Sequence, residues 1–235
     1  MTAQLLEQRE PNCELEIAGE TFVCDPSGCL YWPEQSCMIV SDLHLEKGSS
    51  FATRGRLIPP YDTGATLDQL QLRLDYWQPK IVISLGDSFH DADASSRIPQ
   101  QYHSQLEAMI EGRNWIWIRG NHDPKAPDNL SGEDAIELAI GAITFHHEPV
   151  VGTSAGEIAG HLHPAAKIRR RGKSVRRRCF VGDGTRLIMP SFGAFTGGLN
   201  VRHEAFNGMF LESDLHAWVM GRNSVFQIHA RQLVG

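Results

Sequence analysis

The sequence predicts an α/β fold in which two β-sheets pack face to face with helices outside. The first half alternates short apolar runs, typical of buried strands, with two amphipathic helical patterns, and this order indicates βαβ units. After residue 140 strand-like runs succeed one another without a long helical pattern. Several apolar runs also end directly in Asp, His or Asn, as expected for a site at the strand ends of an open sheet.

Residues 11–40 predict a β meander that leads into the first central strand. Asp25-Pro26-Ser27-Gly28 is a turn signal within this region. The last apolar run ends at Val40, just before Asp42. The strand-like runs cover residues 14–17, 21–23, 29–32 and 36–40.

Two amphipathic helices connect the next strands, which we expect at residues 80–85 and 114–119. Pro59-Pro60 halts the chain, and Asp62 or Thr63 then caps the first helix. The second helix covers residues 99–111, and both carry an apolar face that would pack on the sheet. These faces consist of Leu67, Leu70, Leu74 and Trp77 in the first helix and of Tyr102, Leu106 and Met109 in the second.

The second half is predicted to be mostly β. Its strand-like runs are short and separated by turn residues. They cover residues 143–145, 157–159, 179–181, 187–189, 205–211, 216–219 and 225–228.

The length of 235 residues predicts a single domain over residues 1–235, because the polar clusters between Asp42 and His163 must meet. No apolar run reaches the ~18 residues that a membrane span needs, which argues against a membrane partner. The N-terminus lacks the basic start and apolar core of a secretory signal. The five cysteines are an odd number without metal-finger spacing. Reduced thiols and a cytoplasmic location are therefore expected.

The net charge of -6 conceals one strongly basic segment. Between Lys167 and Arg178 eight residues are basic and none is acidic, which leaves 14 basic against 28 acidic residues elsewhere. We predict a basic loop at residues 167–178 that faces a polyanion; a solvated hairpin between two strands is the alternative. The basic residues are Lys167, Arg169, Arg170, Arg171, Lys173, Arg176, Arg177 and Arg178.

Polar clusters that follow the apolar runs form a candidate metal site. Their oxygen and imidazole donors suit Mn, Fe or Zn better than Ca or Mg, and two ions would clamp the oxygens of a phosphoryl displacement. The clusters are Ser41-Asp42-Leu43-His44, Gly86-Asp87, Gly120-Asn121-His122-Asp123, His146-His147 and Gly160-His161-Leu162-His163.

Within these clusters the spacing carries further expectations. Asp42 and His44 share a face if they continue a strand, and Gly120 would let the backbone turn sharply. Asp123 would orient the His122 ring through a hydrogen bond.

These clusters, in this order, resemble the motifs of calcineurin-like metallophosphoesterases over about residues 37–164. Additional matches extend the resemblance to the whole chain and point to the PdeM group, the ligase-associated DNA damage response endonucleases. The resemblance implies a four-layer αββα sandwich and two divalent ions per chain, often Mn²⁺, with Fe or Zn as alternatives. The additional matches are Ser41-Asp42-Leu43-His44-Leu45-Glu46-Lys47, His147-Glu148-Pro149, His163-Pro164 and Pro190-Ser191-Phe192-Gly193.

The resemblance also implies roles for individual residues. His122 occupies the position that faces substrate, with Asp123 as its supporting partner, whereas His90-Asp91 fits either a support of the site or a polar loop. His147 is chosen as the fifth-strand ligand because Glu148-Pro149 follows it, and His146 is the alternative. The first ion would be held by Asp42, His44, Asp87 and His163, and the second by Asp87, Asn121, His147 and His161.

Two classes of function follow from the sequence. The first is a DNA endonuclease or phosphodiesterase in DNA repair, for which the resemblance implies ligase and helicase partners. The second is a small-molecule or nucleotide phosphatase or phosphodiesterase. An idle scaffold is disfavoured because the ligand set is intact. A homodimer stays open.

Overall fold

The first half of the chain forms a seven-stranded sheet whose strands lie side by side in chain order. The computed structural model describes residues 13–53, 55, 61–152, 154–170 and 172–235, without the side chain of Arg170. The first four strands run antiparallel as a meander, and the later ones run parallel. The strands are β1 (Cys13–Ile17), β2 (Glu20–Cys24), β3 (Leu30–Trp32), β4 (Cys37–Val40), β5 (Ile81–Leu85), β6 (Asn114–Ile118) and β7 (Glu133–Ala135).

Helices connect β4 to β5 and β5 to β6, and they cover the outer face of this sheet. As predicted, Leu67, Leu70 and Leu74 of one helix and Leu106 and Met109 of another are buried there. None of the described helices is long and apolar enough to cross a membrane. The helices are α1 (Lys47–Thr53), α2 (Asp62–Trp77), α3 (Ala94–Arg97) and α4 (Gln100–Ile110).

The start of α2 differs from the prediction. Tyr61 is the N-cap residue and makes no side-chain capping bond. Asp62 instead accepts a hydrogen bond from the Gly48 amide, and the Thr63 hydroxyl accepts one from the Glu46 amide. The Asp62 and Thr63 side chains therefore accept hydrogen bonds from the segment that follows β4, and not from the first amides of α2. These bonds attach the start of the helix to that segment. The predicted Pro59-Pro60 stop lies outside the described residues.

The second half forms a nine-stranded sheet of mixed direction. Its strand order is β14-β11-β12-β13-β10-β9-β8, and β15 pairs with β12 and β16. β9, β10 and β13 run parallel, so the carboxyl ends of β9 and β10 lie at one edge. The strands are β8 (Leu138–Ile140), β9 (Ile143–His146), β10 (Glu157–Ala159), β11 (Pro164–Arg170), β12 (Lys173–Gly182), β13 (Arg186–Ile188), β14 (Leu199–Asn200), β15 (His216–Met220) and β16 (Val225–His229).

Two predictions about this half were wrong. Residues 205–211 do not form a strand, because Glu204–Phe206 is a 3₁₀ helix and Asn207-Gly208 turns the chain, with Gly208 at φ 76°. The basic segment is not a loop but the hairpin of β11 and β12, in which Lys167 pairs with Arg176.

The two sheets pack face to face around one apolar core. Phe22, Trp32 and Ile83 of the first sheet meet Phe145 and Phe180 of the second in this layer. The predicted α/β sandwich is confirmed. On the outer face of the second sheet, the described chain places loops and two short 3₁₀ helices, Glu204–Phe206 and Ala230–Gln232.

A buried ion pair fixes β10 beside β13 and so positions the residues after β10. Glu157 and Arg186 are opposite each other in the strand register and both are fully buried. The Arg186 guanidinium donates to the Glu157 carboxylate and to the carbonyl oxygens of Val150 and Met209. Removing one partner of such a pair typically costs about 3–5 kcal/mol, because the other charge is left uncompensated.

Candidate metal centre

The polar clusters meet where β4, β5, β6, β9 and β10 end. Parallel strands place their carboxyl ends at one edge, and the packing of the two sheets brings both edges together. Two groups of donors result, and within each group the ligand atoms all lie within 4.8 Å of one another. The first group is Asp42, His44 and His163, and the second is Asp87, His147 and His161.

Asp42 lies at the bottom of the first group. Its Oδ1 is 2.9 Å from Nε2 of His163, and its Oδ2 accepts hydrogen bonds from the Ser41 hydroxyl and from the His161 amide. The Asp42 side chain is fully buried, and His44 is nearly so. The two donors to Oδ2 orient the Asp42 carboxylate. His44 and His163, its neighbours in this group, follow strands of different sheets.

Asn121 joins the second group. Its Oδ1 is 3.0 Å from Nε2 of His147, which in turn is 3.2 Å from Nδ1 of His161. Nδ1 of His147 is 2.8 Å from the Leu85 carbonyl oxygen, so that this contact orients the ring. The predicted division of His161 and His163 between two groups is the arrangement observed.

Asp87 lies between the groups. Its Oδ1 is 3.4 Å from Nε2 of His147, whereas its Oδ2 is 4.0 Å from Nε2 of His44. The carboxylate therefore presents one oxygen to each side. This is the position that the sequence predicts for a ligand shared by two ions.

The structure brings His147, and not His146, into the site. Ile143 and Phe145 of β9 point into the core between the sheets, and residue 147 continues that alternation. His146 points the other way, where its Nδ1 is 3.6 Å from a carboxylate oxygen of Glu137. The alternation was already present in the sequence and could have made this choice without the motif.

The backbone beneath the ligands differs from the prediction. β4 ends at Val40 and β10 at Ala159, so neither Asp42 nor His161 continues a strand. Left-handed conformations at residues 42, 44, 161 and 163, with φ between 46° and 67°, bring the side chains together instead. The predicted shared strand face of Asp42 and His44 is therefore replaced by a left-handed backbone at both residues, whose amides donate to the Gly86 and Asp87 carbonyls.

Gly120 is needed for space rather than for a left-handed turn. Its φ is not among the positive values of the chain. A Cβ at this position would collide with the Asp87 backbone nitrogen and with the carboxylates of Asp87 and Asp123.

Asp123 does not orient the His122 ring, and this prediction was wrong. Its carboxylate accepts hydrogen bonds from the backbone amides of Asp87, Phe89 and Gly120. Three amides that converge on one point leave no geometry for a contact with the ring. Asp123 therefore holds the Asp87 loop against the loop after β6, and burial raises its pKa to about 7.

His122 is oriented by the segment that follows Asp87. Its Nδ1 is 2.9 Å from the His90 carbonyl oxygen, and its ring stacks on the His90 ring at a centroid distance of 5.3 Å. The side chain is 40% exposed, and Nε2 is 4.0 Å from Oδ2 of Asp87. His90 therefore supports the orientation of His122, whereas the Asp91 carboxylate is paired with Arg97.

The electrostatics favour ionised carboxylates in the site. Burial alone would raise the pKa of Asp87, but the hydrogen bond with His147 and the charge of that ring outweigh burial and lower the pKa to about 2. Asp42 behaves similarly, because burial is outweighed by His163 and its pKa lies below the ordinary value. Burial lowers the pKa of His44 to about 4. Burial alone would lower the pKa of His147, but the Asp87 carboxylate raises it to about 9. A divalent cation must therefore displace a proton from this ring when it binds among the two anions and the imidazoles.

The residues fit a pair of divalent ions. Nδ1 of His44 is buried without a hydrogen-bond partner in the described part of the chain, and Oδ1 of Asp42 and Nε2 of His163 are buried against each other at 2.9 Å. A buried polar atom without a partner is costly unless a ligand satisfies it. Seven oxygen and nitrogen donors without a thiolate suit a transition metal such as manganese.

The basic hairpin reaches the metal centre through residues 191–198. The Arg176 and Arg178 guanidinium groups donate to the carbonyl oxygens of Gly198 and Ser191, respectively. At the other side of this segment the Gly193 amide donates to the Asp42 carbonyl, and the Leu199 amide donates to the His163 carbonyl. The basic residues are therefore connected to the metal ligands both by the chain and by these hydrogen bonds, as the predicted proximity requires.

The hairpin register separates its basic residues by face. Lys167, Arg169, Arg176 and Arg178 share the face that carries the contacts to residues 191–198, because directly opposed residues point the same way. Lys173 and Arg177 lie on the other face, as the backbone register also places Arg170. Arg178 is only partly exposed and is engaged by the Ser191 and Phe192 carbonyls. Arg171 lies outside the described residues.

The chain resembles known proteins in sequence and structure. Residues 36–175 match the sequence model of the calcineurin-like phosphoesterases. The crystal structure of the nuclease MPE from Pseudomonas putida superposes with a TM-score of 0.71, at 26% identity over 92% of this chain and 100% of that one. The E. coli phosphoesterase YfcE gives a TM-score of 0.39 at 13% identity, over 82% of this chain and 98% of that one. No curated protein matches the sequence.

Proposed function

We propose that this metal-dependent phosphoesterase is a nuclease that cleaves phosphodiester bonds of DNA. The chain belongs to the calcineurin-like phosphoesterase family. The structural likeness to a nuclease over nearly the whole chain supports this substrate class. A role in DNA repair is part of the proposal and rests on the resemblance to ligase-associated endonucleases.

The observation that carries the proposal is the junction between the basic hairpin and the metal centre. Residues 191–198 bond to Arg176 and Arg178 on one side and to the backbone of Asp42 on the other, and the adjacent Leu199 amide donates to the His163 carbonyl. A phosphate at the metal groups therefore has further cations along one face of the hairpin. An extended polyanion can use such a row of charges, whereas a small phosphate ester cannot.

The chain's residues divide the chemistry between them. Bound at these residues, two divalent ions would supply a more acidic water molecule and would withdraw charge from the phosphoryl oxygens. The proposed ligands of the first ion are Asp42, His44, Asp87 and His163, and those of the second are Asp87, Asn121, His147 and His161. Manganese is the metal that we propose, because the donor set mixes oxygens with imidazoles.

We assign to His122 a role at the leaving group. Its Nδ1 contact with the His90 carbonyl leaves Nε2 directed away from that segment, and the ring is partly open to solvent. Nε2 is then the atom that can donate a proton to a departing alkoxide or stabilise charge on the phosphate. Asp123 contributes indirectly, because it holds together the loops that carry Asp87 and Asn121.

A direct assay tests the proposal. The purified protein with Mn²⁺ is offered single-stranded DNA, duplex DNA and simple phosphate esters, and Asp87→Asn is the control for contaminating nucleases. Cleavage of DNA by the native chain and not by the variant is the expected result. Hydrolysis of the small esters without any cleavage of DNA would instead identify a small-molecule or nucleotide phosphoesterase.

A further inference from the structure

An exposed aromatic residue stands between the metal centre and the basic hairpin. Phe195 is 76% exposed and lies in the middle of residues 191–198. Gly193, two residues earlier, donates its amide to the Asp42 carbonyl. Two residues of chain span at most about 7 Å. The Phe195 backbone is therefore close to the backbone of a proposed metal ligand.

The backbone at Phe195 is strained. Its φ is 59°, a left-handed conformation that is unusual for a bulky side chain. Gly193 and Gly198 of the same segment do not adopt a positive φ; a Cβ at either would collide with the Leu43 or the His163 carbonyl oxygen. Strain of this kind is found where a side chain must be presented in one direction.

Contacts on both sides hold Phe195 in place. Its carbonyl oxygen accepts a hydrogen bond from Nζ of Lys47, and the preceding Ala194 amide donates to the Thr66 hydroxyl. Arg176 binds the Gly198 carbonyl three residues later. The ring is thus exposed on a rigid support rather than on a free loop.

The surroundings of the ring combine an aromatic surface with positive charge. A hollow of about 430 Å³ is lined by Phe195 and Thr196 together with Arg176, Arg177 and Arg178. Lys47 approaches the same residue from the other side. Cations for phosphates beside an aromatic face for bases are the chemistry by which proteins bind unpaired nucleic acid.

We propose that Phe195 is a stacking platform for a nucleobase of the DNA strand whose phosphate lies at the metal centre. This inference rests on the proposed nuclease function and adds the residue that recognises the base. A base must leave its neighbours to stack on the ring, so the strand next to the cleaved bond is unpaired at this point. Stacking is tolerant of sequence, because each of the bases has a π-face.

Single-turnover cleavage of a labelled single-stranded oligonucleotide with Mn²⁺ tests the proposal. The dependence of the rate on protein concentration gives an apparent Kd. Phe195→Ala should raise this Kd about 5-fold or more, since stacking on aromatic side chains is typically worth at least that factor. Phe195→Trp should keep the native value. Tyr76→Ala, which removes a partly exposed aromatic ring at the far end of α2, should change nothing.

Two further measurements separate the ring from the shape of the loop. Phe195→Gly suits the left-handed backbone but lacks the ring, so a loss equal to that of Phe195→Ala assigns the effect to the ring. An abasic site is then moved along the oligonucleotide. At the stacked position the abasic site should raise the apparent Kd of the native protein as much as Phe195→Ala raises it for the intact oligonucleotide. The abasic site and the substitution together should raise the Kd no further.

The outcomes distinguish this inference from the function on which it rests. A native protein that cleaves no DNA overturns the nuclease proposal itself. If DNA is cleaved but Phe195→Ala and Phe195→Gly keep the native Kd, with two ions still bound, the stacking platform is excluded. If Phe195→Ala raises the Kd but Phe195→Gly has the native Kd, Phe195 is a structural residue. If the effects of Phe195→Ala and of the abasic site on the Kd add at every position, the ring stacks on no base, and Phe195 is a structural residue or a contact for another protein.

Discussion

Single residues of the metal centre adopt an unfavourable backbone so that their side chains converge. Asp42, His44, Asp87, His161 and His163 have φ angles between 46° and 67°. Each left-handed non-glycine residue costs about 1–3 kcal/mol, which the surrounding fold must offset. The ligand positions are therefore set by the packing of the loops, for which Asp123 and the missing side chain of Gly120 are essential.

Asp87→Asn should reduce the total bound metal far more than His163→Ala. The Asp87 carboxylate directs one oxygen toward His147 and the other toward His44, whereas His163 belongs to one group. Elemental analysis of the purified variants measures the difference. We expect His163→Ala to lose about one ion per chain and Asp87→Asn to lose most of both. Two ions per chain in Asp87→Asn would contradict the bridging role.

His122→Ala should keep both ions and lose about 10²–10⁴-fold of the activity on DNA, the usual contribution of general acid catalysis. The loss should be smaller on an activated nitrophenyl diester, because a good leaving group does not need a proton. Turnover of the two substrates and the metal content are compared in the same preparation. An equal loss on both substrates would indicate a positioning role, and loss of metal would make His122 a ligand.

The β11–β12 hairpin is the element that extends the site beyond the ions. Its register places four basic residues on the face that contacts residues 191–198, and Arg170, Lys173 and Arg177 on the opposite face. In a loop all the basic side chains could face the same ligand. In a strand pair successive side chains point to opposite faces, so a ligand on one face meets only every second residue. In the described part of the hairpin this face is continuous with the metal centre, so a DNA strand bound as we propose would follow it.

Changing Arg169 and Arg176 to Ser should weaken DNA binding and flatten its salt dependence. Each lost phosphate contact reduces the slope of log K against log salt by about 0.7 for a single strand, so two contacts reduce it by about 1.4. Changing Arg170 and Lys173, which the backbone register places on the opposite face, to Ser removes the same charge and is the matched control. Binding is measured over a range of salt concentrations. Equal effects of the two pairs would mean that net charge, and not the face, guides DNA.

At the scale of the whole molecule, the metal centre joins the two sheets. Asp42, His44, Asp87 and Asn121 follow strands of the first sheet, whereas His147, His161 and His163 follow strands of the second. Each group of donors contains residues from both sheets. Ions bound there would cross-link the sandwich at one edge, in addition to the apolar core between the sheets.

Removal of metal should therefore lower the thermal stability. A ligand at 100 times its Kd adds about 2.7 kcal/mol to the free energy of unfolding. For a chain of this size, that corresponds to a change in Tm of about 5–11 °C. Unfolding scans with added Mn²⁺ and with excess chelator measure the shift, and Asp87→Asn should show little of it. A Tm that does not depend on metal would contradict a cross-link between the sheets.

Much of the fold and the chemistry of the candidate site could be predicted from the sequence. Apolar runs that end in Asp42, Asp87, Asn121 and His161 mark strands whose carboxyl ends share an edge, and this pattern is local. The helical faces of α2 and α4 follow equally from local periodicity. Even the choice of His147 over His146 is contained in the alternation of β9, although the motif alone left it open.

Other features depend on contacts between residues that are distant in the sequence, and only the tertiary structure decided them. Asp62 and Thr63 bind the segment after β4 instead of capping α2, because donors from that segment are nearer than a free helix end. Asp123 holds the Asp87 loop, which is 36 residues away in the chain. The backbone contacts that connect Arg178 through residues 191–193 to Asp42 arise in the same way, since no local pattern specifies which strand edges a folded chain brings together.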